Sequence, residues 1–248
     1  MPSLVWILGL IVVTWLAVFA FLYGQRSQIT TVHYINMDKD TTRREFMETQ
    51  LAHYGAQVQR WPGWNVKGLT VDELTALHIG EPVYSVREQL WDGKLRNVGV
   101  MGCWLSHTSL LKHLAAMPNA KQQDAHLILE DDVYVPPDIL ARWAALPLPK
   151  DWDVVYLGIG HPTIDKTASP SPALVKLKYG RGNAGMYAYV VRHGALQTKI
   201  LPRLQQFTNA IDMQLSAMFD VLDVYAVMPA WVDARSPLQD KSSIDSAP

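Results

Sequence analysis

The chain has 248 residues, 49% of them hydrophobic, and its 22 Lys and Arg against 23 Asp and Glu give a formal net charge of -1. This length and apolar content suit one medium-sized globular domain with a sizeable core, and they exclude a mainly disordered chain. The balanced charge provides no basic stripe for a nucleic-acid backbone, so nucleic acid is not expected as a partner. The single cysteine, Cys103, excludes an intrachain disulfide and a zinc site built from cysteines alone.

The amino terminus differs from the rest of the chain. Residues 4–23 carry no charged side chain and are about long enough to cross the hydrocarbon layer of a membrane. We therefore expect one transmembrane helix at 4–23, a linker at 24–31 and a globular domain at 32–248. A cleaved signal peptide is the alternative, but no Lys or Arg precedes the apolar run and no clear cleavage site ends it.

No Lys or Arg precedes the expected span. Four basic residues follow it closely: Arg26, Lys39, Arg43 and Arg44. Because cytosolic flanks of membrane spans are enriched in Lys and Arg, this predicts a single-pass membrane protein whose globular domain faces the cytosol. A type II protein with its domain in the Golgi or ER lumen is the alternative.

The start of the globular domain has the pattern of a β-α-β unit. Residues 29–35 predict a strand, Asp40 or Thr41 can cap a helix that runs to about Tyr54, and residues 57–61 predict the next strand. Such a unit places a ligand at the loop that leaves its first strand. The candidate nucleotide contacts there are Asn36, Asp38, Arg43 and Arg44. The alternative is a capped turn and helix start facing solvent.

A clear helix is predicted after residues 99–103, with an apolar stripe from Cys103 to Met117 and an end at Pro118. Helical spacing places Cys103 and His107 on its apolar stripe, so His107 is expected on the buried side. A lone histidine on such a stripe is more often a hydrogen-bonded core residue than a ligand or base, and Ser106 has the same status.

A short apolar run that ends in three carboxylates is the feature around which the chain is organised. Residues 127–129 have the composition of a buried parallel strand, which presents ligands at its carboxyl end, and Glu130, Asp131 and Asp132 follow directly. Alternation along a strand predicts that Glu130 and Asp132 point one way and Asp131 the other. Two carboxylates in one small volume raise a pKa or bind a cation such as Mg²⁺ or Mn²⁺, whose shell substrate phosphates often complete. This pattern indicates a diphosphate leaving group, with solvated surface acids as the alternative.

A glycine-rich segment at 180–185 lies between two predicted strands, 174–179 and 186–191, which we expect to pair with each other. The segment matches G-x-G-x-x-G, but a dinucleotide fingerprint requires a helix at its third glycine, and here a strand follows. We therefore predict a hairpin loop whose bare backbone can approach a ligand.

Asp212 lies in the first turn of a helix predicted to begin near Asn209. A carboxylate at this position stabilises a helix start through capping and the helix dipole. The functional alternative is a general base delivered into a cleft, and the spacing leaves both roles open.

Several of these pieces, in this order, resemble glycosyltransferase family 25, which includes lipooligosaccharide sugar transferases and collagen galactosyltransferase domains. The matching stretches are residues 34–38 with Arg43, 99–107, 129–133, 152–158, 186–195 and 211–212. The resemblance runs from about Val32 to the tail, so it identifies 32–248 as a family 25-like catalytic domain.

The resemblance implies an α/β fold, a GT-A-like Rossmann-type domain that binds a nucleotide sugar. It also implies a UDP-sugar donor, often UDP-galactose, a Mn²⁺ or Mg²⁺ cofactor, and inverting transfer to a saccharide or glycoconjugate hydroxyl, as in lipopolysaccharide biosynthesis. By position, Glu130 and Asp132 are similar to a metal and diphosphate site, with Asp131 nearby. The donor-binding residues that it implies are Asn36, Asp38 and Arg43. Ser106 and His107 are similar to pocket residues without an assigned role, and Asp212 is our candidate for the base.

Two other classes of function remain compatible with the same residues. A membrane-tethered, metal-dependent phosphotransferase or nucleotidyltransferase would use the same acids and differ in its product. A non-catalytic binding module on the same fold would use the acids to cap loops, and its stability would not respond to Mn²⁺ or UDP.

Overall fold

The computed structural model describes residues 27–79, 90–91, 94–95, 98–180 and 183–234. The expected membrane span at 4–23 lies outside the described residues. Within the described ranges, no helix has the length and apolar character that crossing a membrane requires. The first strand begins at Ile29, inside the expected linker at 24–31.

The described strands and helices follow in chain order. The strands are β1 (Ile29–Asn36), β2 (Val58–Pro62), β3 (Leu90–Trp91), β4 (Lys94–Leu95), β5 (Ala125–Glu130), β6 (Val133–Tyr134), β7 (Val154–Gly158), β8 (Ile164–Asp165), β9 (Leu174–Leu177), β10 (Ala188–Arg192), β11 (Val224–Val227) and β12 (Asp233–Ala234). The α-helices are α1 (Thr41–Leu51), α2 (Val71–Leu74), α3 (Val98–Ala115), α4 (Ile139–Ala145), α5 (His193–Ala195) and α6 (Ile211–Ser216). A 3₁₀ turn continues α1, and π-helical turns continue α2 and α5.

Eight strands form one mixed sheet in the order β2-β1-β5-β10-β7-β11-β9-β8. The pairs β1/β2, β1/β5 and β7/β11 are parallel, whereas β10 runs antiparallel to both β5 and β7. The expected α/β class is therefore confirmed, while the GT-A-like arrangement stays a prediction.

The expected pairing of the strands around the glycine-rich segment is wrong. β9 pairs with β11 and β8, and β10 lies between β5 and β7. The apolar residues of β10 are buried on both faces of the sheet, which suits a central strand better than one arm of a hairpin. The segment 180–185 therefore connects strands that are not neighbours, so it is not a hairpin loop.

Side-chain alternation along the central strands divides the core into two layers. Leu127 and Leu129 of β5 pack in the layer that contains α1 and α4, whereas Ile128 packs in the layer that contains α3, α5 and α6. The same alternation recurs in β7, β10 and β11. The sheet is therefore covered by helices on both faces, as the continuous apolar character of its strands predicts.

The carboxyl ends of β1, β5 and β7 and the start of β10 lie at one edge of the sheet. Ile35, next to the last residue of β1, lies beside Glu130 at the end of β5, and Gly158 at the end of β7 lies beside Ala188 at the start of β10. We call this side of the sheet the carboxyl edge. It brings the acid triplet, the loop after β1 and the segment before β10 together.

Candidate functional site

The three acids of the triplet have different surroundings at the carboxyl edge. Glu130 is the last residue of β5, and its Oε1 lies 3.6 Å from Nε2 of His107 on α3. Asp131 and Asp132 contact Arg43 of α1 instead. The chain leaves the strand at Glu130, so the strict alternation expected for Asp132 does not continue.

Asp131 is buried and holds two elements of the fold together. Its Oδ2 accepts a 2.7 Å hydrogen bond from Nδ2 of Asn36, and its Oδ1 lies 2.9 Å from a guanidinium nitrogen of Arg43. Burial raises the pKa of Asp131, although Asn36 and Arg43 act in the opposite direction. Because both oxygens are engaged, Asp131 is better placed to fix Asn36 and Arg43 than to bind a cation.

Asp132 is more exposed than Asp131, and it lies close to the negative charges of Glu130 and Asp131. Its Oδ2 lies 3.3 Å from Arg43, and its side chain is 30% exposed, similar to 33% for Glu130. Burial and the charge of Glu130 raise the pKa of Asp132 to about 6, against the opposite effect of Arg43. The negative charge of Glu130 therefore disfavours ionisation of Asp132, and a cation shared by the two acids stays a prediction.

The loop after β1 is organised by an arginine that the sequence reasoning missed. Arg60 of β2 donates 3.0 Å hydrogen bonds to the side-chain and backbone oxygens of Asn36, and it also pairs with Asp38. This pairing lowers the pKa of Asp38, whose side chain is exposed. A charged residue in the middle of the short strand 57–61 was the signal that could have indicated this role.

The expected pocket residues on α3 differ in what they contact. Ser106 is buried, donates to the carbonyl of Gly102 at 2.6 Å and accepts from the backbone amide of Trp64 at 2.8 Å. Its contacts therefore attach the loop after β2 to α3. His107 is buried as expected, and it faces Glu130 through Nε2 and the hydroxyl of Tyr189 through Nδ1 at 3.0 Å.

Cys103 lies close enough to three acids at the carboxyl edge for their charges to act on its thiol. Burial raises the pKa of its thiol, and Glu130, Asp212 and Asp132 act in the same direction. The apolar stripe alone does not predict a functional role for Cys103. Its position four residues before His107, on the same side of a helix, was the signal that could have indicated a shared role with that histidine.

Asp212 reaches the carboxyl edge from the first turn of α6. Its Oδ2 accepts a 2.9 Å hydrogen bond from the backbone amide of Gly185, in the segment before β10, and its Oδ1 accepts from Met213 at 2.8 Å. The side chain is half-buried. The same carboxylate thus stabilises the helix start and lies in the vicinity of Cys103, and its role as a base stays a prediction.

Comparison with known families agrees with the resemblance seen in the sequence. A family model described as glycosyltransferase family 25 (LPS biosynthesis protein) matches residues 29–157, which is more than half of the chain. The matched region contains β1, α3 and the acid triplet, whereas Asp212 lies beyond it. No curated protein matches the chain.

Proposed function

The chain belongs to glycosyltransferase family 25, and we propose that it moves a hexose, with galactose as the first candidate, from a UDP-sugar to a hydroxyl of a saccharide or glycoconjugate. The family's description as an LPS biosynthesis protein makes a lipopolysaccharide-type saccharide the first acceptor class to examine. The observation that carries the proposal is the pair of open acids, Glu130 and Asp132, beside the Asn36, Arg43 and Asp131 contacts at one edge of the sheet.

The donor set of Glu130 and Asp132 fits a hard divalent cation. Both carboxylates keep about a third of their side chains exposed, and the raised pKa of Asp132 marks a position where a nearby positive charge would be favourable. Mn²⁺ or Mg²⁺ would be held by these two residues. Such an ion supplies Lewis-acid stabilisation of the negative charge that develops on a leaving diphosphate.

The residues around Asp131 support donor binding in a different way. Asp131 fixes the side chains of Asn36 and Arg43, so the loop after β1 and the start of α1 are held together before a ligand arrives. Arg43 also brings a permanent positive charge next to Asp132. Asp38, which is exposed and oriented by Arg60, is the remaining candidate donor contact in this loop.

Asp212 is the proposed general base of an inverting transfer. Its carboxylate would accept the proton of the acceptor hydroxyl while that oxygen attacks the anomeric carbon on the face opposite the diphosphate. The Gly185 amide holds Oδ2 from one side, which restricts the orientation of the carboxylate. An α-linked donor would therefore give a β-linked glycoside.

Replacing Asp212 with asparagine tests this assignment. Asparagine keeps a carbonyl oxygen for one backbone amide but cannot accept the proton, and general bases contribute about 10²–10⁴-fold to rate. We expect transfer to fall by that order while UDP still raises the melting temperature. Asp165→Asn is the matched control, because Asp165 also accepts from a backbone amide but lies on β8, at the far side of the sheet. Unchanged transfer in Asp212→Asn would refute the assignment.

The donor and the metal are identified by one further assay on the full chain in detergent. A panel of UDP-sugars is incubated with and without Mn²⁺, and the products are identified by mass spectrometry. A transferred sugar with free UDP supports the proposal, whereas a transferred phosphoryl or nucleotidyl group supports the other enzyme class. Absence of turnover, together with no change in melting temperature on adding Mn²⁺ and UDP, would favour a binding module.

We also propose that the membrane anchor expected at 4–23 holds this domain on the cytosolic side. Protease treatment of sealed membrane vesicles tests the orientation. Digestion of the domain in right-side-out vesicles would place it on the opposite, outer side.

A further inference from the structure

A second set of metal-ligand side chains shares Glu130 with the acid pair. Cys103 and His107 are four residues apart on α3, so their side chains lie on the same face of the helix, and Glu130 faces them from the end of β5. One ligand atom from each of the three residues lies within 4.8 Å of the other two. A sulfur, an imidazole nitrogen and a carboxylate oxygen therefore converge on one point.

The spacing is close to that of a tetrahedral site. Metal–ligand distances of roughly 2.0–2.3 Å place the ligand atoms of a tetrahedral zinc site about 3.3–3.8 Å apart. The separation of 3.6 Å between Nε2 of His107 and Oε1 of Glu130 already falls in this range. The thiol needs an adjustment of no more than about 1 Å, which a side-chain rotation supplies.

A buried tyrosine fixes the orientation of the histidine. The hydroxyl of Tyr189 lies 3.0 Å from Nδ1 of His107, and the two rings are stacked with their centroids 5.8 Å apart. Tyr189 is buried on β10, the neighbour of β5. Metal-binding histidines almost always engage their second nitrogen in this way, so that the first points at the ion. Here that first nitrogen is Nε2, which faces Glu130.

We propose that Cys103, His107 and Glu130 form a binding site for a thiophilic divalent ion, with Zn²⁺ as the first candidate. A thiolate and an imidazole favour zinc over the harder Mg²⁺ and Mn²⁺ that suit carboxylates alone. Binding forms a bond between the metal and sulfur, and the thiol proton of Cys103 passes to solvent. Three protein ligands leave the fourth position open for water.

Occupation of this site has a consequence that rests on the proposed function. Glu130 belongs both to the thiophilic set and to the pair with Asp132, so Zn²⁺ would compete for Glu130 with the ion held beside the diphosphate. Zn²⁺ is therefore expected to inhibit Mn²⁺-supported transfer.

Cobalt tests the site without reference to turnover. Co²⁺ titrated into the full chain in detergent, with a non-thiol reductant, should give a thiolate-to-cobalt charge-transfer absorption at one equivalent, and Zn²⁺ should abolish it. Because Cys103 is the single cysteine, any thiolate band must come from it. We expect the band to be lost in Cys103→Ser and His107→Gln, and the apparent affinity to fall about 10–100-fold in Tyr189→Phe.

Asp132→Asn is the matched control. It removes the carboxylate that is paired with Glu130 in the proposed Mn²⁺ or Mg²⁺ site but is not a ligand of the thiophilic site, so the absorption band should remain. Circular dichroism verifies that each variant is folded. The proposal is overturned if folded wild-type protein gives no band, if His107→Gln keeps it, or if Asp132→Asn removes it as completely as His107→Gln does. A chain that gives the band, but transfers no sugar and shows no change in melting temperature with Mn²⁺ and UDP, would refute the proposed function alone.

Discussion

Replacing His33 with leucine should make the fold less sensitive to acid. His33 lies on β1 with 1% of its surface exposed, and neither ring nitrogen has a hydrogen-bond partner in the described part of the chain. Burial lowers the pKa of His33 to about 4, and His113 acts in the same direction. On the neighbouring strand, burial, His193 and His33 lower the pKa of His126 to about 4, against the opposite effect of Asp124.

These pKa values set the direction and the size of the effect. An unfolded histidine has a pKa of about 6.5, so below that pH the unfolded chain binds protons that the fold excludes. The stability contributed by neutral His33 is therefore lost as the pH falls from about 6.5 toward 4, and the loss levels off below that range. At about pH 5 the loss amounts to about 2 kcal/mol for this one residue.

Asp132 changes stability in the opposite direction over the same range. Its pKa is raised to about 6, so the stability linked to its protonated form is present at low pH and lost as the pH rises through about 6. The wild-type pH dependence therefore mixes both contributions. A comparison of variants isolates the histidine, since Asp132 is the same in each.

Urea unfolding at about pH 7.5 and about pH 5 measures the difference. The free energy of unfolding should change between these two pH values by about 2 kcal/mol less in His33→Leu than in wild type. His53→Leu is the matched control, because His53 is exposed and should leave the pH dependence unchanged. If His33→Leu keeps the full wild-type pH dependence, the assigned burial effect at His33 is wrong.

Two further substitutions test the packing around the carboxyl edge. Arg43→Met leaves Asp131 buried beside Asn36 without its cation, so the free energy of unfolding in urea should fall by about 3–5 kcal/mol. The control Arg142→Met removes an exposed ion pair and should change this free energy by less than about 1 kcal/mol. Equal losses in the two variants would contradict the prediction. Gly102→Ala places a Cβ 2.7 Å from the carbonyl oxygen of Trp64. The free energy of unfolding should therefore fall by about 1–3 kcal/mol, which lowers the melting temperature. An unchanged melting temperature would show that the loop containing Trp64 moves aside without a cost in stability.

Local patterns in the sequence predicted the elements that carry the site. The apolar run at 127–129, followed directly by acids, predicts a buried strand that carries the acids at its carboxyl end. The stripe that contains His107 likewise predicted that His107, Leu111 and Leu114 of α3 are buried. These features depend on a local apolar run and on helical spacing, both of which the sequence contains directly.

Contacts between distant segments could not be predicted in the same way. Apolar and β-branched composition identifies β9 and β10 as strands, but it contains no information about which strands lie beside them, so the expected hairpin was wrong. The hydrogen bond from Asn36 to Asp131 joins residues 95 positions apart. It follows from the parallel pairing of β1 and β5, a property of the assembled sheet.

The different contacts of the three acids follow from the position at which β5 ends. Alternation sends Leu129 and Asp131 toward the layer of α1, so Asp131 meets Arg43 in a buried setting, whereas Glu130 is directed toward α3. A buried carboxylate is tolerated only with good partners, and Asp131 has both a cation and an amide. Arg43 contacts both Asp131 and Asp132, so the buried carboxylate also positions the cation that lies beside its open neighbour. The buried acid thus holds the groups around the open ones in place, and replacing it should disturb the site.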